Sequence, residues 1–585
     1  MDWASQDLQR YVLPAAISAG ATLALGAIAA ARPQFGAGVF SRIEKAFSRF
    51  SERKSLAIAA IFLFVIAGRL AVLPRLPVPV PGTHDEFSYL LMADTFVHGR
   101  LANPPHPMWI SFETFHVNWL PTYSSMYPPA QGAVLALGQL LGNPWFGVLL
   151  SAAATCAAIL WMLQAWLPAR WAFLGGVLAA LKFGFASYWM NSYWGGAVAA
   201  AGGALVLGGL GRLKRQVRVR DALWVALGLA ILANSRPYEG LIFSLPSGAF
   251  LLHWCLKESS SRVSRSNRAI RVLLPSAAAM TFTLLFAGFY NWRLTGDALL
   301  FPHRLNMNTY HTTGLFVWDK TKPPQSYRNA EFEHFYNGWA REEYERSPAS
   351  LWRVTETKIV RYGSTFFWFG ACFALVGLLR AFRDRRLCLL AITLAAGAFA
   401  VFPTIWSNPH YAAPFTCAIF GVLVQAMRHL RVFEFRGAPV GRALTRAIVL
   451  LLIFDTAGNI ARGACDPLRW PCEGDPSRVY VEKQLEQLPG KHLLLVRYEP
   501  NHNVHDEWVY NGADIDGARV VWARELGAAQ NAKLFAYFKD RDVWLVEPDI
   551  DNTEVRPYPE IVTPRSNHSS ESAAQSPDGE TEQER

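Results

Sequence analysis

"GTHDEFSYLLMADTFVHGRL" (residues 82–101) begins a few residues after an apolar stretch, at about 56–74, that is long enough to cross a bilayer. Two adjacent acids, Asp85 and Glu86, open this half-apolar segment. At about 100° per residue, Phe87, Leu90 and Leu91 fall on one side of a helix, with His84, Ser88 and Thr95 opposite. The spacing therefore predicts a juxtamembrane helix lying along the bilayer surface. Asp85 and Glu86 then point about 100° apart, one toward a cavity and the other toward solvent or a cation, while Asp94 sits about half a turn away. Read alone, the pair fits two descriptions: first-turn acids stabilised by the helix dipole, or a working carboxylate and its neighbour.

The rest of the chain sets the context. Its 585 residues are 52% hydrophobic and 17% charged, with 21 Trp and 37 Phe, too apolar for a soluble enzyme of this length. Apolar windows recur at about 11–31, 56–74, 145–167, 171–190, 195–211, 222–237, 239–256, 272–291, 361–381, 387–404, 409–427 and 446–463. The expected fold class is a polytopic α-helical membrane protein of about twelve transmembrane helices. The first window has no small-residue cleavage site and runs into "FSRIEKAFSRFSERK", so it reads as an anchor.

Orientation follows from Lys and Arg. The net charge of +11 sits in short basic clusters between apolar runs, which mark cytoplasmic loops and give no support to a nucleic-acid partner. For "SRIEKAFSRFSERK", "GRLKRQVRVR", "KESSSRVSRSNRAIR", "RAFRDRR" and "RHLRVFEFRGAPVGRALTR" to share one side, the apolar stretch at about 128–142 must not cross. It is then an interfacial or re-entrant helix. That assignment gathers the unusual polar residues on the periplasmic side of a bacterial inner membrane. The expected organisation is an N-terminal anchor and basic segment (1–55), a membrane unit (56–463) with outer loops 75–144 and 292–360, an outward α/β domain (464–550) and a disordered tail (551–585).

In the α/β domain, "KHLLLVRY", "ARVVWA" and "DVWLVEP" read as strands of a parallel sheet, with "NHNVHDEWVYNGADI" and "ELGAAQNAKLFAYF" as helices between them. Cys465 and Cys472 flank "DPLRWP", where a short-loop disulfide and two free thiols both fit; the other five cysteines have no metal spacing and read as packing residues.

The first outer loop also carries "NPPHP", "FETFHVNW" and "MYPPAQG". An Asp-Glu pair opening a juxtamembrane helix (Asp85, Glu86), a Pro-Pro segment leading into a hydrophobic helix (Tyr127, Pro128, Pro129) and a late aromatic-x-x-Pro element (His410, Tyr411, Pro414) come in that order. The arrangement, over roughly 56–463, resembles the GT-C glycosyltransferases, the polytopic superfamily that includes protein O-mannosyltransferases and lipid A aminoarabinose transferases. Asn191 stands where many relatives have an acid, and His410 where Arg is usual.

The resemblance implies transfer of a sugar, with inversion, from a polyprenyl-phosphate carrier to a glycan, lipid or protein acceptor. A phosphate departs without being protonated, so one carboxylate that takes the acceptor's proton is enough, together with cationic or metal stabilisation of the phosphate. Asp85 is then the base and Glu86 its orienting or metal-contacting neighbour. The donor phosphate falls to Arg236 in "NSRPYEG", with Tyr238, His410, Tyr411 and Lys182; a mid-span Lys costs about 2.5 to 3.5 kcal/mol and is usually retained for a purpose.

His106, Glu113 and His116 fit either a divalent metal ion or ordinary hydrogen bonding. "GGAVAAAGGALVLGG" reads as close helix packing. No phosphate-binding loop, GxSxG or HExxH occurs. The rival reading is a non-catalytic transporter or flippase of lipid-linked saccharides, in which the same acids bind and make no bond.

Overall fold

The computed structural model describes residues 12–256, 265–344, 348–384, 387–406, 408–464 and 474–559. Among the described residues, seven helices are long and apolar enough to cross a membrane: Leu13–Ala31, Lys54–Ala71, Trp145–Trp166, Pro237–Leu256, Ser266–Thr295, Pro409–Leu430 and Val440–Arg462. Trp145–Trp166 and Pro409–Leu430 are mostly buried at the centre, whereas Leu13–Ala31 and Ser266–Thr295 expose most of their apolar surface, as lipid-facing helices do. Shorter helices, Ala169–Phe183, Ala197–Leu213, Val219–Ala233 and Cys388–Val401, pack among them. Glycine lets them approach closely: a Cβ on Gly203 would lie 2.0 Å from the carbonyl oxygen of Pro414.

The count of about twelve full spans is not met by length. The window at 361–381 is two helices, Val354–Phe366 and Phe369–Phe382, bent by 94°. Such a break strips the last carbonyls of their intrahelical partners. Lys182 Nζ donates to one of them, the Ser364 oxygen, at 2.7 Å.

The stretch after "YPPAQG" forms the helix Pro129–Leu140, whose 12 residues span only about 18 Å. It packs against the juxtamembrane helix His84–Val97, where Gly132 has no room for a side chain beside Met92. The juxtamembrane helix is buried on nearly all sides. Phe87 and Leu91, expected to face lipid, instead pack into the C-terminal domain.

The reason lies in the sheet of that domain. Strands β1 (Val117–Asn118) and β2 (Ser124–Ser125) pair in the long loop 75–144. The C-terminal sheet comprises β3 (Lys491–Val496), β4 (Val520–Arg524), β5 (Arg541–Glu547) and β6 (Asp551–Pro557) in the order β4-β3-β5-β6. β3 is parallel to β4 and β5, as the alternation predicts, and β6 is antiparallel to β5. Both faces of the sheet are apolar. Leu494, Val496, Trp522 and Val546 pack on the helix Pro476–Gln487, while Leu493, Leu495, Val521 and Leu545 need a second cover. Phe87, Leu91, Phe112 and Trp119 of the first loop supply it together with Leu534 and Phe538. The domain is thereby seated on the juxtamembrane helix.

Two expectations fail here. "NHNVHDEWVYNGADI" is an irregular loop, held by its own side chains: Glu507 accepts from the Val509 N–H at 2.9 Å and Asn511 brackets Trp522. Residues 551–557, expected to be disordered, form β6; its side chains are nearly all exposed along an edge strand, so no apolar alternation marks it. Cys465, Cys472 and the tail from 560 onward lie outside the described residues.

Candidate active site

The helix His84–Val97 starts at Thr83 in an extended conformation, so Asp85 and Glu86 fall in its first turn. Their environments differ sharply. Glu86 is 4% exposed. One of its carboxylate oxygens accepts from the Gly82 N–H at 2.9 Å and from Thr83 Oγ1 at 3.3 Å, and the other from the Tyr193 N–H at 2.9 Å. Burial pushes this carboxyl up to about 7, against the pull of those backbone donors. Glu86 therefore ties the "WMNSYWGG" turn to the helix start, with both oxygens occupied.

Asp85 faces the other way, and its side chain is 22% exposed. The Tyr127 hydroxyl donates to its Oδ1, and His116 Nδ1 lies 3.7 Å away. His116 Nδ1 is also 3.1 Å from the Tyr127 oxygen, and the Tyr127 ring stacks on Tyr89 at 4.5 Å. Burial and the Asp85 charge raise the Tyr127 hydroxyl well above its ordinary value, so it stays protonated and keeps donating. Burial lowers the His116 imidazole, which Asp85 partly offsets.

The second half of the site comes from the loop between Val219–Ala233 and Pro237–Leu256 and from the loop after Leu274–Thr295. Arg236 places its guanidinium 4.8 Å from the Tyr411 ring centroid. Its charge is felt by Tyr89, Tyr411 and His303. No carboxylate lies within 4.0 Å of the guanidinium and no side-chain hydrogen bond uses it, among the described residues. Its donors remain available to a ligand. His303, in the helix Pro302–Tyr310, is within electrostatic reach of both His116 and Arg236. Burial, with those two neighbours, pushes it down to about 4, so the imidazole is neutral at neutral pH. Asn118 and Asn306 fix this helix on β1: Asn118 Nδ2 donates to the Pro302 oxygen at 3.1 Å, and Asn306 Nδ2 to the Val117 oxygen at 3.2 Å.

Other expected site residues serve elsewhere. Lys182 caps Ser364 at the broken helix, in a cluster with Asp455 and Ser18. His410 is 2% exposed, with Nδ1 at 3.3 Å from the Tyr188 hydroxyl and its ring 4.8 Å from Trp194; it backs Tyr411 and does not reach the open side. The Tyr238 hydroxyl donates to the Ala400 oxygen at 3.2 Å.

The expected metal set does not assemble, because its three members belong to three clusters. His106 accepts the Met108 N–H on Nδ1 at 2.9 Å, which leaves Nε2–H to donate to Asp516 at 3.1 Å. Glu113 is held by the Tyr310 hydroxyl and Arg328, each at 3.0 Å. His116 stands with Asp85. Among the described residues no three such side chains come together.

Asn191 accepts from Arg69 at 2.8 Å, and Arg69 also donates to the Leu76 and Pro77 carbonyls. The two terminal nitrogens of Arg69 are thus met by two carbonyls and one neutral side chain, while its buried Nε has no partner among the described residues.

The sequence did not single out His303, Arg69 or Arg524. His303 is one polar residue in "FPHRLN", and only the Asn118 and Asn306 clamp brings it to His116. Arg524 is 2% exposed. It donates to the Glu113 carbonyl at 2.8 Å, to Glu331 at 2.9 Å and to Glu507, joining both outer loops to the C-terminal domain.

No known family matches the sequence, and no curated protein matches it. Among solved structures the chain is similar to the Archaeoglobus fulgidus oligosaccharyltransferase in its apo form, at 12% identity and a TM-score of 0.43, covering 75% of this chain and 62% of that one. It spans less than two thirds of that neighbour's length. It is also similar to ArnT from Cupriavidus metallidurans bound to undecaprenyl phosphate, at 13% identity and a TM-score of 0.45, covering 83% of this chain and 93% of that one. A third is the arabinofuranosyltransferase AftD from Mycobacteria, at 14% identity and a TM-score of 0.40, covering 84% of this chain and 35% of that one.

Proposed function

We propose that the protein is a membrane glycosyltransferase that moves a sugar from a polyprenyl-phosphate donor to an acceptor, with its site on the periplasmic face of a bacterial inner membrane. One observation carries this reading. A partly open carboxylate, Asp85, and an Arg with unused donors, Arg236, share one cluster of tyrosines, Tyr89, Tyr127 and Tyr411.

In the reaction, Asp85 accepts the proton of the acceptor hydroxyl or amine as it attacks the anomeric carbon. The bond to the phosphate oxygen breaks and the phosphate leaves unprotonated, its charge met by Arg236 with His303 as a neutral donor beside it. Tyr127 orients the base through its hydrogen bond, and Glu86 positions the helix without touching substrate. The basic clusters and the gathering of polar loops opposite them support the sidedness.

Reconstitution tests the proposal. The purified protein in lipid nanodiscs, given envelope extract and a lipid-linked sugar, releases polyprenyl phosphate and gains labelled acceptor. Movement of the intact lipid-linked sugar across vesicles without cleavage would instead support the transporter.

A further inference from the structure

We propose that the acceptor is a carbohydrate chain, and that the C-terminal domain completes its binding site through His505, set against Trp339 and Trp406. The inference rests on the glycosyltransferase reading and names the acceptor class of that same site.

The three rings come from segments far apart in the chain: the helix Glu333–Trp339, the loop before Pro409, and the irregular loop between β3 and β4. Trp339 stacks on Trp406 at 5.3 Å and 23°, and His505 stands edge-on to Trp339 at 4.6 Å and 89°. All three are only partly buried. A folded chain normally hides indoles or places them at an interface, where an apolar ring with a polar edge meets a ligand that is both.

A continuous file of rings leads from this platform inward. Phe335 lies 5.0 Å from Trp339, His84 lies 5.6 Å from Phe335, and His116 lies 5.5 Å from His84. His116 ends the file with Nδ1 at 3.7 Å from Asp85. These rings pack in mutual contact, so the partly open platform is joined to the residues that back Asp85, and His505 itself lies within electrostatic reach of Asp85 and His116. Sugars present the complementary pattern, apolar C–H faces that stack on aromatic rings and hydroxyls that bond imidazoles.

The domain is fixed where this platform requires it. His84 bonds the Tyr510 hydroxyl at 2.9 Å and the Val504 carbonyl at 2.8 Å, which sets the chain immediately before His505. Arg524 anchors the adjacent strand to both outer loops.

The test uses the full-length protein in nanodiscs, with short hexose and pentose oligosaccharides as probes and undecaprenyl phosphate as the donor-side control. A member of the panel is expected to bind, and Trp339→Ala, Trp406→Ala and His505→Ala should each weaken it about tenfold, with undecaprenyl phosphate binding unchanged. Trp339→Phe, which keeps a stacking ring, should retain most of the affinity and guards against misfolding. Asp85→Asn should bind the same sugar as the native protein and fail to elongate it. The proposal is overturned if no oligosaccharide binds, if the alanine variants bind as the native protein does, or if the acceptor proves to be a peptide or lipid used equally well by them. Failure of the native protein to bind undecaprenyl phosphate would instead strike the transferase reading.

Discussion

Replacing Asp85 by Asn tests the base directly, because the change is nearly isosteric and the local structure predicts that the fold tolerates it. The carboxamide oxygen still accepts from the Tyr127 hydroxyl, and 22% of the side chain is open, so the added amide hydrogens have solvent or acceptor to meet. Glu86, whose carboxylate carries the structural hydrogen bonds from Gly82 and Tyr193, is left alone. What disappears is a proton acceptor. Loss of a general base lowers the chemical step by ~10² to 10⁴, or about 2.7 to 5.4 kcal/mol at 1.36 kcal/mol per decade. Single-turnover transfer from a lipid-linked sugar, with enzyme in excess over donor, isolates that step. Undecaprenyl phosphate affinity and the melting midpoint should stay close to native. Turnover within a few-fold of native in a folded, lipid-binding Asp85→Asn protein would refute the assignment, since the carboxamide cannot take up the proton.

Three further outcomes follow from the same geometry. Arg236→Ala should raise the dissociation constant for undecaprenyl phosphate by roughly 10-fold or more, in line with about 1.5 to 3 kcal/mol for hydrogen bonds to a charged group, and leave acceptor affinity unaltered; equal weakening of both substrates would move Arg236 out of the phosphate site. Glu86 has a folded value of about 7 against 4.5 for the free group, so the fold favours its protonated form: the stabilisation is whole below pH 4.5 and is lost as pH rises through about 7. Thermal melts should accordingly fall between pH 5 and 8 by an amount equivalent to at most about 3 kcal/mol, and Glu86→Gln should flatten that slope; an unchanged slope in the variant would place the titration elsewhere. Arg524→Ala strands the buried Glu507 and the partly covered Glu331 without their cation, which should cost about 3 to 5 kcal/mol of docking stability. Limited proteolysis should then cut the chain between the membrane unit and the C-terminal sheet, and native-like resistance would show that the apolar contacts of Phe87 and Leu91 are sufficient.

The parts of this architecture that were legible in the sequence are those governed by short-range periodicity. Apolar windows became helices because a 20-residue apolar run has few alternatives in lipid, and the short continuous apolar runs of "KHLLLVRY", "ARVVWA" and "DVWLVEP" became parallel strands buried on both faces. What could not be read is the partnering of faces. The stripe of Phe87 and Leu91 says only that the residues will be covered, and lipid is the nearest cover to a juxtamembrane helix; that an apolar sheet some 400 residues later covers them instead is a property of tertiary packing.

The misplaced polar residues have the same origin. Lys182 is costly in a span, and in the structure it donates to the Ser364 carbonyl at a helix break that composition did not announce. His106, Glu113 and His116 lie within eleven residues of one another, yet each is claimed by a different distant partner, Asp516, Arg328 and Asp85. Local spacing placed Asp85 and Glu86 in the first turn of a helix, since a helix start is a local event. It could not find His303 or His505, which reach Asp85 and His116 only because an Asn clamp and a buried Arg hold two other segments against the same loop.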